Sequence, residues 1–355
     1  MTFTKLISAV ALAALAFAAP TFATAQEKTD FKVAWSIYVG WMPWGYAQDT
    51  GIVKKWADKY GLTIEVTQFN DYVESINQYT AGAYDAVTLT NMDGLSIPAA
   101  GGVDTTAVII GDFSAGNDAV ILKDKQTLAD IKGQPVNLVE FSVSHYLLAR
   151  ALESAGMSER DVNVVNTSDP DMVGAFQTAD VTAMVTWNPM VSEILDLPDA
   201  HKVFDSAQIP GEIIDMMVAN TEALKANPNF GKALAGIWYD TMAVMTANTD
   251  EGAAARAAMG AASGTDQMGF EAQLAATKLF PPAPEAVAFT DSPDLKTTME
   301  KVRTFLFDKG LLGNGAPSAD VIGIELPSGE VLGDSANIKL RFSNTYMKAA
   351  ADGAL

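Results

Sequence analysis

Short apolar runs alternate with amphipathic segments through the first half of this chain. The amphipathic segments predict helices near residues 45–60, 72–81, 93–101, 143–156, 170–178 and 189–195. The apolar runs predict strands at residues 31–38, 62–68, 85–89, 105–111, 118–122, 135–139, 162–165 and 181–186. This alternation is typical of the α/β class and predicts parallel sheets.

The second half of the chain is more helical. Residues 221–248 carry an apolar period around Leu234 and Trp238, and further helices are predicted at residues 250–262, 265–279 and 292–310. The pattern predicts two α/β lobes, one from residues 26–116 plus 220–355 and the other from residues 117–219. Ligands of open α/β sheets bind outside the carboxyl ends of the strands. We therefore expect a ligand cleft between the lobes, closed by hinge motion.

The first 25 residues are typical of a cleaved secretory signal. Lys5 is their only charged residue, an apolar run covers residues 6–19, and Ala23-Thr24-Ala25 has the small-x-small pattern of a cleavage site. The apolar run is too short for a comfortable membrane span. We expect a mature protein of about 330 residues that is exported to a bacterial periplasm.

The composition excludes several classes of function. The chain has 43 acidic and 23 basic residues, a net charge of −20, which argues against binding nucleic acid through its phosphates. It has no cysteine, which excludes disulfides and thiolate metal sites. The only two histidines are not part of a cluster with metal-ligand spacing, so we expect no metal and no cofactor.

An aromatic segment follows the first predicted strand. Trp41, Trp44 and Tyr46 lie among Gly40, Pro43 and Gly45, which predict a loop. Aromatic rings on a loop at a strand end are suited to enclosing a small planar or cationic solute. The alternative interpretation is that the rings only cover the edge of the sheet.

Several short motifs occur in a characteristic order. They are Asp49-Thr50-Gly51-Ile52-Val53, Gln78-Tyr79-Thr80-Ala81-Gly82-Ala83-Tyr84-Asp85 and Thr186-Trp187-Asn188-Pro189. With the opening strand and aromatic segment, they resemble the periplasmic solute-binding proteins of ABC importers, in the branch that binds nitrate, taurine and alkanesulfonates. The resemblance covers nearly all of the mature chain. It implies a two-lobed type II periplasmic binding protein fold, a ligand in the cleft between lobes, and a permease in the inner membrane as partner. We also expect a monomer.

A narrower resemblance concerns the ligand. The segments Val39-Gly40-Trp41-Met42-Pro43-Trp44, Asn70-Asp71-Tyr72-Val73-Glu74-Ser75 and Thr90-Asn91-Met92-Asp93 resemble a subgroup associated with the gene regions of urea carboxylases, many of which act on guanidine. This resemblance implies a small, nitrogen-rich solute.

The predicted strand ends carry acidic residues and no Lys or Arg. An anion site normally uses Arg, Lys or helix N-termini, so the anionic ligands of the relatives should not be transferred to this chain. Guanidinium suits such a site, because carboxylates bind its edge and an aromatic ring covers its face. Urea is neutral and would leave buried carboxylates uncompensated, so we prefer guanidinium.

Two other interpretations stay open. One is a binder of a larger amine, such as a thiamine precursor, and the other is a periplasmic enzyme on the same fold. No catalytic residue is assigned, because the chain lacks a Gly-x-Ser-x-Gly elbow, a phosphate-binding Gly loop and a cysteine nucleophile.

The candidate ligand-binding residues lie at predicted strand ends in both lobes. Asp71 and Asp93 have an alternative role as helix caps, Asp112 could instead order the crossing between lobes, and hydroxyls such as Ser142 are ordinary caps. The full set is Trp41, Trp44, Asp71, Asn91, Asp93, Asp112, Glu140, Ser142, Ser144, Trp187 and Asp215.

Overall fold

The computed structural model describes residues 28–313 and 315–355. The predicted secretory signal at residues 1–25 lies outside the described residues. The described strands are β1 (Asp30–Ser36), β2 (Thr63–Phe69), β3 (Ala86–Thr90), β4 (Thr105–Ser114), β5 (Asp118–Lys123), β6 (Pro135–Leu138), β7 (Asn163–Asn166), β8 (Ala183–Trp187), β9 (Ala200–Asp205), β10 (Ile214–Asn220), β11 (Thr277–Leu279), β12 (Gly323–Glu325), β13 (Val331–Leu332) and β14 (Ile338–Phe342).

The described helices pack on both sheets and between them. They are α1 (Met42–Asp49), α2 (Ile52–Tyr60), α3 (Tyr72–Thr80), α4 (Asn91–Gly94), α5 (Val143–Ser154), α6 (Met172–Phe176), α7 (Met190–Leu195), α8 (Thr221–Ala226), α9 (Asn229–Met245), α10 (Asp250–Ala262), α11 (Gln267–Ala275), α12 (Ala283–Thr290), α13 (Pro293–Asp308) and α14 (Thr345–Ala351). Among them, none combines the length and apolar character that crossing a membrane requires.

Two sheets form the cores of two lobes. The larger sheet has the order β13-β12-β14-β4-β10-β3-β1-β2, with β11 paired to β4, and the smaller has the order β7-β6-β8-β5-β9. Helices α5, α6 and α7 pack on the smaller sheet, whereas α3 and α9 pack on the larger one. The expectation of a two-lobed α/β architecture is confirmed by these sheets.

The sheets are mixed rather than purely parallel. Strand β10 is antiparallel to both β3 and β4, and β5 is antiparallel to both β8 and β9. The chain enters the second lobe between β4 and β5 and returns between β9 and β10. Strand β10 (Ile214–Asn220) belongs to the larger sheet, so the return precedes the predicted boundary at residues 219 and 220.

The aromatic segment is mostly helical. Trp41 is the N-cap of α1, and Trp44 lies inside that helix, which tolerates Pro43 in its first turn. The single helix predicted at residues 45–60 is two helices, because Gly51 between them has φ of 81°. A left-handed residue ends an α-helix, and glycine adopts that conformation without steric cost.

Helix α9 crosses α2 closely at a glycine. A Cβ added to Gly236 would lie 2.3 Å from the ring of Trp56. That ring is held in place, since its Nε1 donates a hydrogen bond to Asp240 Oδ2 at 2.7 Å. The contact therefore requires the absence of a side chain at position 236.

We expect Gly236→Ala to lower the free energy of unfolding by roughly 1–3 kcal/mol, because overpacking outweighs the gain in helix propensity. Gly174→Ala in α6 is the matched control, since a Cβ there meets nothing within 4 Å. Urea unfolding of both variants measures the difference. Equal stabilities of the two variants would contradict the proposed close crossing.

Candidate functional site

Aromatic rings from both lobes enclose a small cavity. It comprises about 250 Å³ of space, part of which is open to solvent, and is lined by Tyr38, Trp41, Tyr72, Thr90, Asp118, Val143, Trp187 and Asp215. We call this space the interlobe cavity. The facing side chains leave only a narrow space between them, so it suits a solute of few atoms.

Strand pairing places the two carboxylates of the cavity wall. In the larger sheet, Asp215 near the start of β10 pairs with Thr90 at the end of antiparallel β3. In the smaller sheet, Asp118 at the start of β5 pairs with Trp187 at the end of antiparallel β8. In each lobe, one strand thus begins beside the point where its antiparallel neighbour ends. These paired strand ends of both lobes lie at the cavity.

The rings of the wall pack edge to face or tilted against each other. Tyr72 has its centroid 5.4 Å from that of Trp41 and 5.6 Å from that of Trp187. The centroids of Tyr38 and Trp41 lie 5.1 Å apart. Such packing holds rigid faces toward a solute. Because Trp187 belongs to the smaller sheet and the other three rings to the larger lobe, the wall is complete only with both lobes.

Two further carboxylates lie directly behind the wall. Asp93 is fully buried and accepts hydrogen bonds from Tyr72 Oη at 2.7 Å and Thr90 Oγ1 at 2.9 Å. Asp112 is also fully buried and accepts a hydrogen bond of 3.3 Å from Tyr38 Oη. Gly40 leaves room for Asp112, since a Cβ there would lie 2.5 Å from its Oδ2.

Burial raises the pKa of all four carboxyls. The pKa of Asp93 rises to about 6, and those of Asp112 and Asp118 rise to about 7. Burial, followed by the charges of Asp112 and Asp118, raises the pKa of Asp215 well above its usual range. The carboxyls of Asp112 and Asp215 are also close enough for each to affect the pKa of the other, which favours one shared proton between them. A cation in the cavity would replace such protons.

Several buried polar atoms around the cavity have no hydrogen-bond partner within the described residues. They are Trp41 Nε1, Asp93 Oδ1, Asp112 Oδ2, Ser144 Oγ and Asp215 Oδ2. Buried polar atoms are nearly always paired, and leaving one unpaired costs about 1–3 kcal/mol. Three of the five are carboxylate oxygens, so the site is richer in acceptors than in donors.

The structure brings five of the sequence-predicted site residues together at the cavity. Trp41, Trp187 and Asp215 line it, and Asp93 and Asp112 lie behind its wall. Ser144 is buried at the start of α5, next to the lining residue Val143.

The other predicted residues have contacts elsewhere. Trp44 stacks on Trp238 with centroids 5.8 Å apart, and Asp71 caps α3 by accepting a 2.8 Å hydrogen bond from the Glu74 N–H. Asn91 Nδ2 donates to the Glu212 carbonyl at 3.1 Å, and its Oδ1 accepts from the Ile214 N–H at 3.0 Å. Ser142 is the N-cap of α5, and Glu140 is half-buried and does not line the cavity.

The sequence interpretation missed five lining residues. These are Tyr38, Tyr72, Thr90, Asp118 and Val143. Asp118 was missed because nothing in the local sequence shows that its strand begins beside Trp187. One indication of its role was available in the sequence. Asp118 is an acidic residue at the start of an apolar strand, just after the predicted crossing between lobes.

Within the described ranges, no three His, Cys, Asp or Glu side chains are arranged to hold a metal ion. The four carboxylates nevertheless create a strongly negative site when they are ionised, since the pKa values of Asp112, Asp118 and Asp215 are raised first by burial and then by the charges of neighbouring carboxylates. Glu212 lies outside this group, because Arg150 and Lys301 pair with it and lower its pKa despite burial.

Comparison with known proteins places this architecture in a family. A family profile described as NMT1-like matches residues 25–262. The chain belongs to the NMT1-like family. It is 25% identical over 202 residues to a binding protein of Brucella abortus, and 22% identical over 200 residues to the taurine-binding periplasmic protein of Escherichia coli. Each match covers 55% of this chain and 61% of the relative, so the chain spans less than two thirds of their length.

Solved structures show the same fold. The alkanesulfonate-binding protein of Xanthomonas axonopodis pv. citri, bound to MOPS, superposes with a TM-score of 0.66 and 16% identity, covering 81% of this chain and 96% of that one. The periplasmic nitrate-binding protein of Synechocystis PCC 6803 superposes with a TM-score of 0.57 and 11% identity, covering 93% of this chain and 99% of that one. The chain therefore has the two-lobed periplasmic binding protein fold, as its motifs predicted.

The raised pKa values predict how stability depends on pH. Between about pH 4 and 7 the folded protein binds more protons than the unfolded chain, so its free energy of unfolding falls as pH rises through this window. For Asp118, a pKa of about 7 instead of 3.8 corresponds to about 4 kcal/mol. Without added cation, we expect the melting temperature at pH 5.5 to exceed that at pH 8 by at least about 5 °C.

Scanning calorimetry of wild type and Asp118→Asn across this range measures the effect. The variant has no titrating group at this position, so its melting temperature should change less with pH. A wild-type melting temperature that rises toward pH 8 would contradict the arrangement of uncompensated buried carboxylates.

Proposed function

We propose that this protein is the solute-binding component of an ABC importer in a bacterial periplasm. It captures a small organic cation, guanidinium, in the interlobe cavity and delivers it to an inner-membrane permease. The family and the fold support the binding role. The observation that carries the ligand class is the set of four buried carboxylates at an aromatic cavity whose lining contains no Lys or Arg.

The chemistry of the cavity matches guanidinium part by part. Asp118 and Asp215 line the wall and can accept the edge N–H groups, while flat rings such as Trp187 cover the faces of a planar cation. Each charge-assisted hydrogen bond contributes about 1.5–3 kcal/mol. At the upper end of this range, two of them and one cation–π contact of about 2 kcal/mol add up to about −8 kcal/mol, which corresponds to a micromolar dissociation constant.

The same features disfavour other ligands. Sulfonate and nitrate are anions, and the cavity lining offers them Asp118 and Asp215 without a compensating cation. A larger amine of the thiamine-precursor type would require these rings to move apart, because the space between them is narrow. An enzymatic role is a remoter alternative, because the relatives named above are described as binding proteins.

Urea is the second candidate, and one observation favours it. The buried Trp41 Nε1 has no acceptor among residues 28–313 and 315–355, and the carbonyl oxygen of urea would supply one. Urea would also leave the four carboxylates without a counter-charge, and that cost makes it the weaker candidate.

Titration calorimetry at pH 8 tests the ligand, with guanidinium chloride, urea, taurine and nitrate each below 1 mM. We expect saturable micromolar binding of guanidinium alone. Asp215→Asn removes one lining carboxylate and should weaken binding about 10–100-fold, the equivalent of a charge-assisted hydrogen bond. Turnover of each solute, followed in the same samples, tests the enzymatic alternative.

Glu193→Gln is the matched control. It removes one negative charge at the rim of the cleft without touching the interlobe cavity, and should bind guanidinium within about twofold of wild type. Tight urea binding without a guanidinium response would make urea the ligand. Taurine or nitrate binding would overturn the cationic assignment.

A further inference from the structure

A groove at the outer rim of the cleft is formed by both lobes. Ile37 and Asn70 come from the larger lobe, and the smaller lobe contributes Asp169, Pro170, Val173, Pro189, Met190 and Glu193. We call it the rim groove. Asp169 begins a short 3₁₀ turn, Asp169–Asp171, and is 7% exposed.

Asp169 makes a hydrogen bond across the cleft. Its Oδ2 accepts the backbone N–H of Tyr72 at 3.2 Å. Tyr72 is the first residue of α3, whose free N–H groups carry partial positive charge and prefer a carboxylate. The N-cap Asp71 accepts a hydrogen bond from the N–H of Glu74. Each of the two carboxylates therefore satisfies one backbone N–H of the first turn.

The helix residue that Asp169 contacts is also part of the ligand site. The ring of Tyr72 packs on Trp41 in its own lobe and on Trp187 in the other. Its hydroxyl donates to Asp93. A single residue therefore connects the rim contact to the cavity wall over the length of one side chain.

We propose that Asp169 is a positioning residue that completes the cap of α3 only when the lobes close, and so couples closure to the placement of Tyr72 against the ligand. In an open cleft the Tyr72 N–H is hydrated and Asp169 faces water. Closure removes water from the Tyr72 N–H and from Asp169 and forms one charge-assisted hydrogen bond between them. The role in ligand capture rests on the proposed function, whereas the closure contact itself does not.

Burial and the neighbouring charges of Asp71 and Asp171 make this carboxylate costly to enclose. Burial and then the Asp71 charge raise the pKa of Asp169 to about 7. A hydrogen-bond acceptor at position 169 therefore satisfies the Tyr72 N–H, but a negative charge there is repelled by the neighbouring acids. Asparagine supplies the acceptor without the charge and is an equally good cap.

The first arm measures closure without any ligand. The chain contains no cysteine, so Asn70→Cys and Val173→Cys introduce a single pair across the rim groove. The rate of disulfide trapping between them reports how often the rim closes. Adding Asp169→Ala should lower that rate about tenfold, adding Asp169→Asn should restore it to within threefold, and adding Asp171→Ala in the same turn should leave it unchanged.

The second arm measures guanidinium affinity and the melting temperature of the cation-free protein, with the native residues 70 and 173 in place. Asp169→Ala should weaken guanidinium binding about tenfold and leave the melting temperature within about 1 °C of wild type, because a single rim contact that the cation-free protein makes only part of the time contributes little to its free energy of unfolding. Asp169→Asn should bind within threefold of wild type.

The outcomes separate the two proposals. Reduced trapping with no guanidinium binding by wild type would overturn the proposed ligand and retain the closure contact. Unchanged trapping in Asp169→Ala would overturn the closure contact, whatever the affinity. A melting temperature of Asp169→Ala clearly more than about 1 °C below that of wild type would assign Asp169 to static packing. That result would also overturn the closure contact.

Discussion

The mutual repulsion of four buried carboxylates is the constraint on which this molecule's chemistry depends. Asp93, Asp112, Asp118 and Asp215 are at most 3% exposed and lack a basic partner at the cavity. Water does not screen them, so they require protons or an external cation. A fold selected only for stability would pair or replace them. Under the proposed function, the cationic ligand supplies the charge that these carboxylates lack, and this compensation favours its binding.

The contrast with Glu212 shows how the chain treats an acid that is only structural. Glu212 is buried to a similar degree, 6% exposed, yet Arg150 and Lys301 pair with it and Tyr146 donates to it at 2.7 Å. Its pKa is lowered, whereas those of the cavity acids are raised. The chain therefore has basic residues available near the cleft and places them away from the cavity. The charge of Glu212 is compensated by basic residues, whereas the charges of the four cavity carboxylates are not. This difference distinguishes a structural acid from the acids of the candidate site.

Local patterns were sufficient for the architecture and for part of the site. Apolar runs identify strands such as β3, and strand ends with acids and aromatics identified Trp41, Asp93, Trp187 and Asp215 as candidates. What local patterns lack is the pairing between distant strands. Asp118 lines the cavity only because β5 is antiparallel to β8, and Trp44 turns to Trp238 only because α1 packs on α9. Both facts depend on partners about 70 and 190 residues away.

Closure explains why the ligand residues are divided between lobes. Trp187 and Asp118 belong to the smaller sheet, whereas Trp41, Tyr72 and Asp215 belong to the larger lobe, so in an open cleft each lobe presents only one of the two lining carboxylates. A cation bound to one half still leaves the other carboxylates solvated, and bringing them together without it costs repulsion in a low dielectric. The same charges that oppose closure of the empty cleft therefore favour closure around a cation. Under the proposed function, selectivity for a cation follows from the closing step itself, because a neutral solute of equal shape cannot offset that repulsion.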